Sequence, residues 1–146
     1  MDMTHLMDAN IVIAILKGQA DGQRAARRLA ALPAAQVAVC SVVEAELWHG
    51  AEKYQVQQRR RDELREFLAP HESLPFDSGC VPHYARIRHH LEQQGQMIGG
   101  NDLMIAAIAL AYDLTLATHN GGESVGCRIC AWRIGSSSRS STKTGP

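Results

Sequence analysis

The chain has 146 residues, of which 45% are hydrophobic and 21% are charged, and equal numbers of basic and acidic residues give it a net charge of zero. This length fits one domain of the common size of about 100–150 residues, and the composition is that of an ordinary globular protein rather than a disordered or fibrous one. A neutral chain has no bulk field that attracts nucleic acid, so any such binding must rest on local clusters or on metal ions.

The charge is unevenly distributed along the chain. Residues 1–123 hold all 15 acidic residues and 11 of the 15 basic ones, a net charge of −4, whereas residues 124–146 carry four basic residues and a net charge of +4. The longest apolar run, Ile11 to Leu16, is far shorter than the ~20 residues needed to cross a bilayer. The N-terminus has neither the basic start nor the apolar middle of a secretory signal, so we expect a cytoplasmic protein that does not enter a membrane.

Short apolar strands alternate with helices along the chain, which is typical of an α/β fold with a parallel sheet covered on both faces. We predict strands at His5–Met7, Gln36–Cys40, Leu74–Phe76, Leu114–Ala117 and Arg128–Trp132. We predict helices at Ile11–Lys17, at about Gly22–Leu32, at Ser41–Tyr54, along the stripe of Leu64, Phe67 and Leu68, through Tyr84, Ile87 and Leu91 to about Gln94, and at Leu103–Leu110. The last of these helices is apolar nearly all round, so we expect it to be buried.

Two helix starts have residues that favour capping. Ser41 and Glu44 have the S-x-x-E spacing of a capping box, in which Ser41 caps the helix and Glu44 reaches back to the same turn. Asn101 follows two glycines directly before the apolar helix and is the expected cap there.

The C-terminal residues differ in composition from the rest of the chain. Ser, Thr and Gly dominate residues 134–146, so we expect a disordered tail after one domain that covers residues 1–133. Of the four cysteines, only Cys127 and Cys130 are closely spaced, and a lone C-x-x-C pair lacks the other ligands of a zinc site. We therefore expect reduced cysteines, with Cys40 packed in a strand.

Three acidic residues stand out from this scheme. Asp8 ends the first strand, Glu46 lies just inside the helix after the second strand, and Asp102 lies at the start of the apolar helix. In an open parallel sheet these places converge on one edge, where three carboxylates repel each other unless a cation neutralises them. All-oxygen ligands favour Mg²⁺ or Mn²⁺. For Asp102 a role as a helix cap is equally compatible with the sequence, whereas Asp8 and Glu46 adjoin apolar residues and have no such evident alternative.

Four segments carry a resemblance to a known family: Leu6–Asn10, the run from Ser41 to Gly50 that includes Glu46, Asn101–Ala107, and Thr118-His119-Asn120. In order and spacing, over about residues 3–132, they resemble the successive motifs of PIN-domain toxins of the VapC type. The resemblance implies a PIN-like three-layer α/β/α sandwich with a central parallel sheet of about five strands. It also implies an endoribonuclease, the toxin of a type II toxin–antitoxin pair, that forms a homodimer and is inhibited by a cognate antitoxin occupying the acidic pocket.

The resemblance assigns roles to individual residues. Asp8, Glu46 and Asp102 correspond to the acidic ligands of Mg²⁺, with Mn²⁺ as a substitute, and Asn120 lies where many relatives carry a fourth acid. The implied reaction is hydrolysis of an RNA phosphodiester in which one or two metal ions activate a water and stabilise charge on the phosphoryl oxygens. Transfer RNA is a candidate substrate, and no histidine is required as a base.

Other polar positions also correspond to the family pattern, with some departures. Asn10, Ser41 and Thr118 match positions that orient the acids. Ala9 stands where relatives commonly carry Thr, and Ser124–Gly126 replaces a longer loop before the last strand. Together with Asn120, these departures support a rival hypothesis, a PIN-like module with a weakened metal site that only binds RNA or a protein. The three retained acids argue against it, and a phosphomonoesterase would need an Asp-x-Asp pair that is not evident.

Candidate substrate contacts are less specific. Arg59 and Arg60, in a run with Arg61 and Arg65, could bind RNA phosphates, although a solvated face that is ion-paired with neighbouring acids, Asp62, Glu63 and Glu66, is the favoured interpretation. His119 is a candidate substrate contact because it adjoins Asn120. The seven histidines otherwise lack the spacing of a zinc site or of a metal-free histidine nuclease. We expect Trp48 and Tyr54 on a dimer or antitoxin surface rather than in a base-stacking platform.

Overall fold

A computed structural model describes residues 2–18 and 20–117, and in that part of the chain the strands form one parallel sheet. The strands are β1 (His5–Met7), β2 (Val37–Cys40), β3 (Ser73–Leu74) and β4 (Thr115–Ala117). They lie in the order β3-β2-β1-β4, and every neighbouring pair is parallel. Four of the predicted strands are present, although β3 is Ser73–Leu74 rather than Leu74–Phe76. The fifth, at Arg128–Trp132, and the tail at residues 134–146 lie outside the described residues.

Helices connect all of these parallel strands. They are α1 (Ala9–Leu16), α2 (Ala20–Ala30), α3 (Ser41–Ala51), α4 (Gln57–Leu68), α5 (Val81–Gln93) and α6 (Gly100–Ala111), with short 3₁₀ turns at Ala34–Gln36 and Ser78–Cys80. Along the chain, β2 is added beside β1 and β3 beside β2, toward one edge of the sheet. The chain then returns across the sheet, and β4 pairs with the other side of β1. Right-handed crossovers therefore place α1–α4 on one face and α5–α6 on the other, which gives the predicted three-layer sandwich. No helix in residues 2–18 and 20–117 is long and apolar enough to span a membrane.

The sheet centre and α6 form the core. All four residues of β2 are buried, as is the segment from Ile105 to Ala109 of α6, because both elements are apolar on every face. Cys40 is a buried free cysteine, and burial raises the pKa of its thiol to about 11, so it stays protonated as the sequence predicted for a packed, reduced residue.

Both predicted caps are wrong. The N-cap of α3 is Cys40, because β2 continues directly into the helix, and Ser41 is already the first helical residue. Glu44 does not close a capping box, since its carboxylate instead accepts a hydrogen bond from the hydroxyl of Ser73 in β3. The N-cap of α6 is Gly99, which leaves Asn101 inside the first turn.

Candidate metal site

The three singled-out acids lie at the carboxyl edge of the sheet. Asp8 directly follows β1, and Glu46 lies in the second turn of α3, which begins where β2 ends. Helix α6 leads through a short turn into β4, so the start of α6, with Asp102 in its first turn, lies at the edge where the strands end. The topology of the sheet thus brings distant residues to one edge. Asp8 and Glu46 are 38 positions apart in the sequence, and Glu46 and Asp102 are 56 positions apart.

Asp8 is fixed by the helix that follows it. Its Oδ1 accepts a hydrogen bond of 2.9 Å from the backbone N–H of Ile11, so Asp8 is the N-cap of α1 and is partly buried. The expectation that Asp8 has no structural role is therefore wrong, because α1 begins at Ala9, two residues earlier than predicted. A carboxylate offers about four lone-pair positions, so a capping bond orients Asp8 without excluding metal coordination.

Glu46 shares its electrostatic environment with both other acids. Burial raises the pKa of Glu46, the negative charge of Asp102 raises it further, and the charge of Asp8 adds to the same effect. A hydrogen bond from the side chain of Asn101 lowers the pKa of Glu46 and opposes these effects in part. Since a protonated carboxyl group is a poor ligand, protons and a cation compete at this site.

Asp102 is exposed in the first turn of α6. It is not the cap of this helix, a role that was compatible with the sequence. Its negative charge is favourable there, because the N-terminus of a helix carries a partial positive charge. A Cβ atom at Gly99 would lie 3.7 Å from Oδ2 of Asp102, so the capping residue lies close to this carboxylate.

The carboxylate oxygens of the three acids are suitable ligands for a hard cation, although the acids do not form a closed coordination shell. Within residues 2–18 and 20–117, no three Asp, Glu, His or Cys side chains are close enough to enclose an ion directly. The pKa of Glu46 is raised first by burial and then by the negative charges of Asp102 and Asp8, so the acids repel one another in the absence of a counter-ion. Asp8, Glu46 and Asp102 lie at the same edge of the sheet, and their carboxylate oxygens are donors of the kind that a divalent cation prefers.

The remaining polar site residues are placed only in part. Asn10 and Ser41 are exposed in the first turns of α1 and α3, at the same edge as the acids, and their role in orienting those acids stays a prediction. Thr118, His119 and Asn120 lie outside the described residues.

The run of arginines in α4 forms a face that is ion-paired with acidic residues, which was the favoured interpretation of the sequence. Arg59 and Arg60 both contact Glu63, at 3.3 and 3.2 Å, on the exposed side of α4. Arg65 pairs with Asp62 at 3.3 Å, and Arg61 pairs with Glu52 rather than with a residue of its own helix. RNA binding by Arg59 and Arg60 stays a prediction, since these guanidinium groups already have acidic partners.

A groove leads away from the acidic edge between α1, α3 and α4. It encloses about 260 Å³, has a mostly apolar lining and includes Glu46 among its lining residues. The lining comprises Ile13, Leu16, Lys17, Glu46, Leu47, Gly50, Ala51, Lys53, Tyr54, Arg60, Glu63 and Leu64. Tyr54 lies in this lining, with the guanidinium of Arg60 4.4 Å from the centre of its ring. An extended apolar groove beside an exposed polar site is a suitable surface for a partner segment.

Comparison with known proteins gives one consistent result. Residues 6–122 match the PIN domain family. The chain is 34% identical over 118 residues to a ribonuclease VapC2 from Rickettsia felis, covering 81% of this chain and 87% of that protein. It is 30% identical, with the same coverage, to a tRNA(fMet)-specific endonuclease VapC from Shigella flexneri. The crystal structure of VapBC2 from Rickettsia felis, bound to a DNA fragment from its promoter, has a TM-score of 0.70 at 34% identity and covers 81% of this chain and 88% of that chain.

Proposed function

Because the chain belongs to the PIN-domain family, we propose that it is a metal-dependent endoribonuclease, the toxin of a VapBC-type toxin–antitoxin pair, with Asp8, Glu46 and Asp102 as the ligands of its cation. One observation supports the site assignment above all others: Asp8 at the N-cap of α1, Glu46 in α3 and Asp102 in the first turn of α6 lie at one edge of the sheet, and the charges of Asp8 and Asp102 both raise the pKa of Glu46. Asn120 completes the proposed site as a neutral fourth group.

Each acid contributes to the reaction through its position. Asp8 is held at the strand end by its capping bond, Glu46 approaches from α3, and Asp102 lies on the exposed side where an RNA strand can enter. A bound divalent cation supplies Lewis acidity toward a phosphoryl oxygen and an attacking water. The three carboxylates would hold that cation at the edge of the sheet.

The chemistry of the ligands indicates the metal ion, and the relatives indicate the substrate, the location and the oligomeric state. All-oxygen donors favour Mg²⁺, with Mn²⁺ as a substitute. The substrate is RNA, and a relative whose name specifies tRNA(fMet) makes transfer RNA the first substrate to test. The protein acts in the cytoplasm as a homodimer, as its resemblance to VapC toxins implies.

The antitoxin occupies the groove between α1, α3 and α4. Glu46 lines the groove, so a segment lying in it covers one of the three acids. Its apolar lining receives an apolar face, while Lys17 and Lys53 at its margin suit acidic residues on the same segment. Inhibition then follows from occlusion of the site and does not require a change in the fold.

The function is tested by the metal dependence of RNA cleavage. Purified protein, freed of antitoxin, is expected to cut transfer RNA in Mg²⁺ or Mn²⁺ and to lose this activity in excess EDTA, with recovery when Mg²⁺ is restored. Cleavage products resolved on a denaturing gel give the rate. A protein that binds RNA equally with and without Mg²⁺ and never cuts it would instead be the binding module that Ala9 and Asn120 suggested.

A further inference from the structure

Helices α4 and α5 contain six arginines, and one of them differs from the rest. Arg86 of α5 is exposed, and no carboxylate within residues 2–18 and 20–117 pairs with it. The other five each pair with a glutamate or an aspartate: Arg59, Arg60, Arg61, Arg65 and Arg88. The guanidinium of Arg86 therefore offers an uncompensated positive charge and its N–H donors to a ligand.

Arg86 lies on a flank of α5 that contains no acid. The residues of this flank follow one another at helical spacing: His83, Arg86, His90 and Gln93. The one acid of α5, Glu92, lies on the opposite flank, where its carboxylate accepts a hydrogen bond of 3.4 Å from Arg88. Two exposed arginines that are two positions apart thus point to opposite sides of one helix, and only Arg88 is neutralised.

The chemistry of this flank suits a polyanion. Burial and the charge of Arg86 both lower the pKa of His83, so its imidazole is neutral near pH 7 and adds a hydrogen-bond donor beside a full positive charge. None of the large apolar side chains that are exposed in the described part of the chain lies on the flank, so it does not resemble the centre of a protein interface. A guanidinium binds phosphate oxygens bidentately.

The flank leads toward the acidic edge of the sheet. Helix α5 starts beside the end of α6, where the hydroxyl of Tyr112 donates to Asp77 at 3.2 Å, and the two helices pack against each other. The end of α5 therefore lies near the start of α6, which carries Asp102. Arg86 is seven residues before the end of α5, or about 10 Å along the helix axis. Since a strand in a duplex has a phosphate roughly every 3.4 Å of its axis, an RNA at the acids has phosphates within that distance.

We propose that Arg86 binds a phosphate group of the RNA substrate, a few nucleotides from the bond that is cut. This inference rests on the proposed function, since it takes RNA as the substrate. Arg86 is a substrate-binding residue and takes no part in the chemistry at the acids.

The test compares Arg86→Gln with Arg88→Gln, in cleavage of transfer RNA in Mg²⁺ and in binding of transfer RNA in EDTA. Arg86→Gln is expected to raise KM roughly tenfold and to leave kcat unchanged, because a charged contact made equally before and during the reaction is lost. The slope of log affinity against log salt concentration should become shallower by about 0.7–0.9, the value for one phosphate contact. Arg86→Lys keeps the charge and should recover most of this slope.

Arg88→Gln is the matched control, because it removes an equal charge from the same helix at a site that is already paired with Glu92. It should behave like the wild type in KM and in salt dependence. Unfolding midpoints of both variants should stay close to that of the wild type, since both side chains are exposed.

Different outcomes separate this inference from the proposed function. Wild-type KM and salt dependence in Arg86→Gln overturn the role of Arg86 and leave the nuclease assignment intact. Equal losses in Arg86→Gln and Arg88→Gln overturn it as well, because any charge on α5 would then serve. A lower mass of Arg86→Gln in light scattering would make the flank a contact between subunits and would also overturn it. If the wild-type protein neither binds nor cuts RNA, both the inference and the proposed function fail.

Discussion

Asp8→Asn and Asp102→Asn are each expected to lower the rate of RNA cleavage in Mg²⁺ by at least about 100-fold, beyond the roughly 10–100-fold effect of groups that only support a ligand. Both changes remove one negative charge and leave the side chain almost unchanged in size. Asn is as good an N-cap as Asp, so Asp8→Asn keeps an oxygen acceptor for the N–H of Ile11, and α1 keeps its cap. The loss of activity then reports on the metal site rather than on the helix.

The matched control for these variants is Asp62→Asn. Asp62 is an exposed acid of α4 that pairs with Arg65 at 3.3 Å, so its substitution removes the same charge outside the proposed site. Initial rates at saturating Mg²⁺, with unfolding midpoints in EDTA, distinguish lost chemistry from lost folding. Undiminished cleavage by either site variant would show that its carboxylate is not needed.

Ile13→Asp is expected to free the enzyme from its antitoxin while leaving its activity intact. Ile13 lines the apolar groove and is 37% exposed, so an aspartate there is solvated in the free protein. In the complex the same charge is buried against an apolar segment without a partner, which is costly. We expect a loss of binding free energy of about 2 kcal/mol or more, as is typical of interface hot spots. Such a loss weakens antitoxin binding roughly 30-fold or more.

The assay for this prediction adds the cognate antitoxin to the cleavage reaction in increasing amounts. Val81→Asp is the matched control, because Val81 is an exposed apolar residue at the start of α5, away from the groove. The expected result is that Val81→Asp is inhibited like the wild type and that Ile13→Asp needs far more antitoxin. Equal inhibition of both variants would place the antitoxin on another surface.

The order and type of the elements could be predicted from the sequence because local patterns determine them. The buried strand at Val37–Cys40 and the apolar helix that starts at Gly100 are apolar on every side, and no competing interaction changes that signal. The capping box at Ser41 and Glu44 could not be judged in the same way. Glu44 has a competing partner in Ser73, 29 residues away, and that contact exists only once β3 lies beside β2.

The placement of the three acids at one edge was predictable from the sequence, whereas their local contacts were not. The rule that strand ends and helix starts converge at one edge was enough to bring Asp8, Glu46 and Asp102 together. It did not reveal that Asp8 caps α1, because the predicted start of that helix was two residues too late. It also did not reveal that Asn101 lies inside the first turn of α6, since asparagine before a helix is usually a cap and here Gly99 is the N-cap.

We expect Asp8, Glu46 and Asp102 to bind a shared divalent cation. Mn²⁺ titration of the metal-free protein, beside Asp8→Asn, Glu46→Gln and Asp102→Asn, tests it without involving RNA. We expect saturable binding by the wild-type chain and at least roughly tenfold weaker binding by each of the three variants, because every one of them loses a charged ligand. Wild-type affinity in all three variants would contradict the claim, since the ion would then be bound elsewhere.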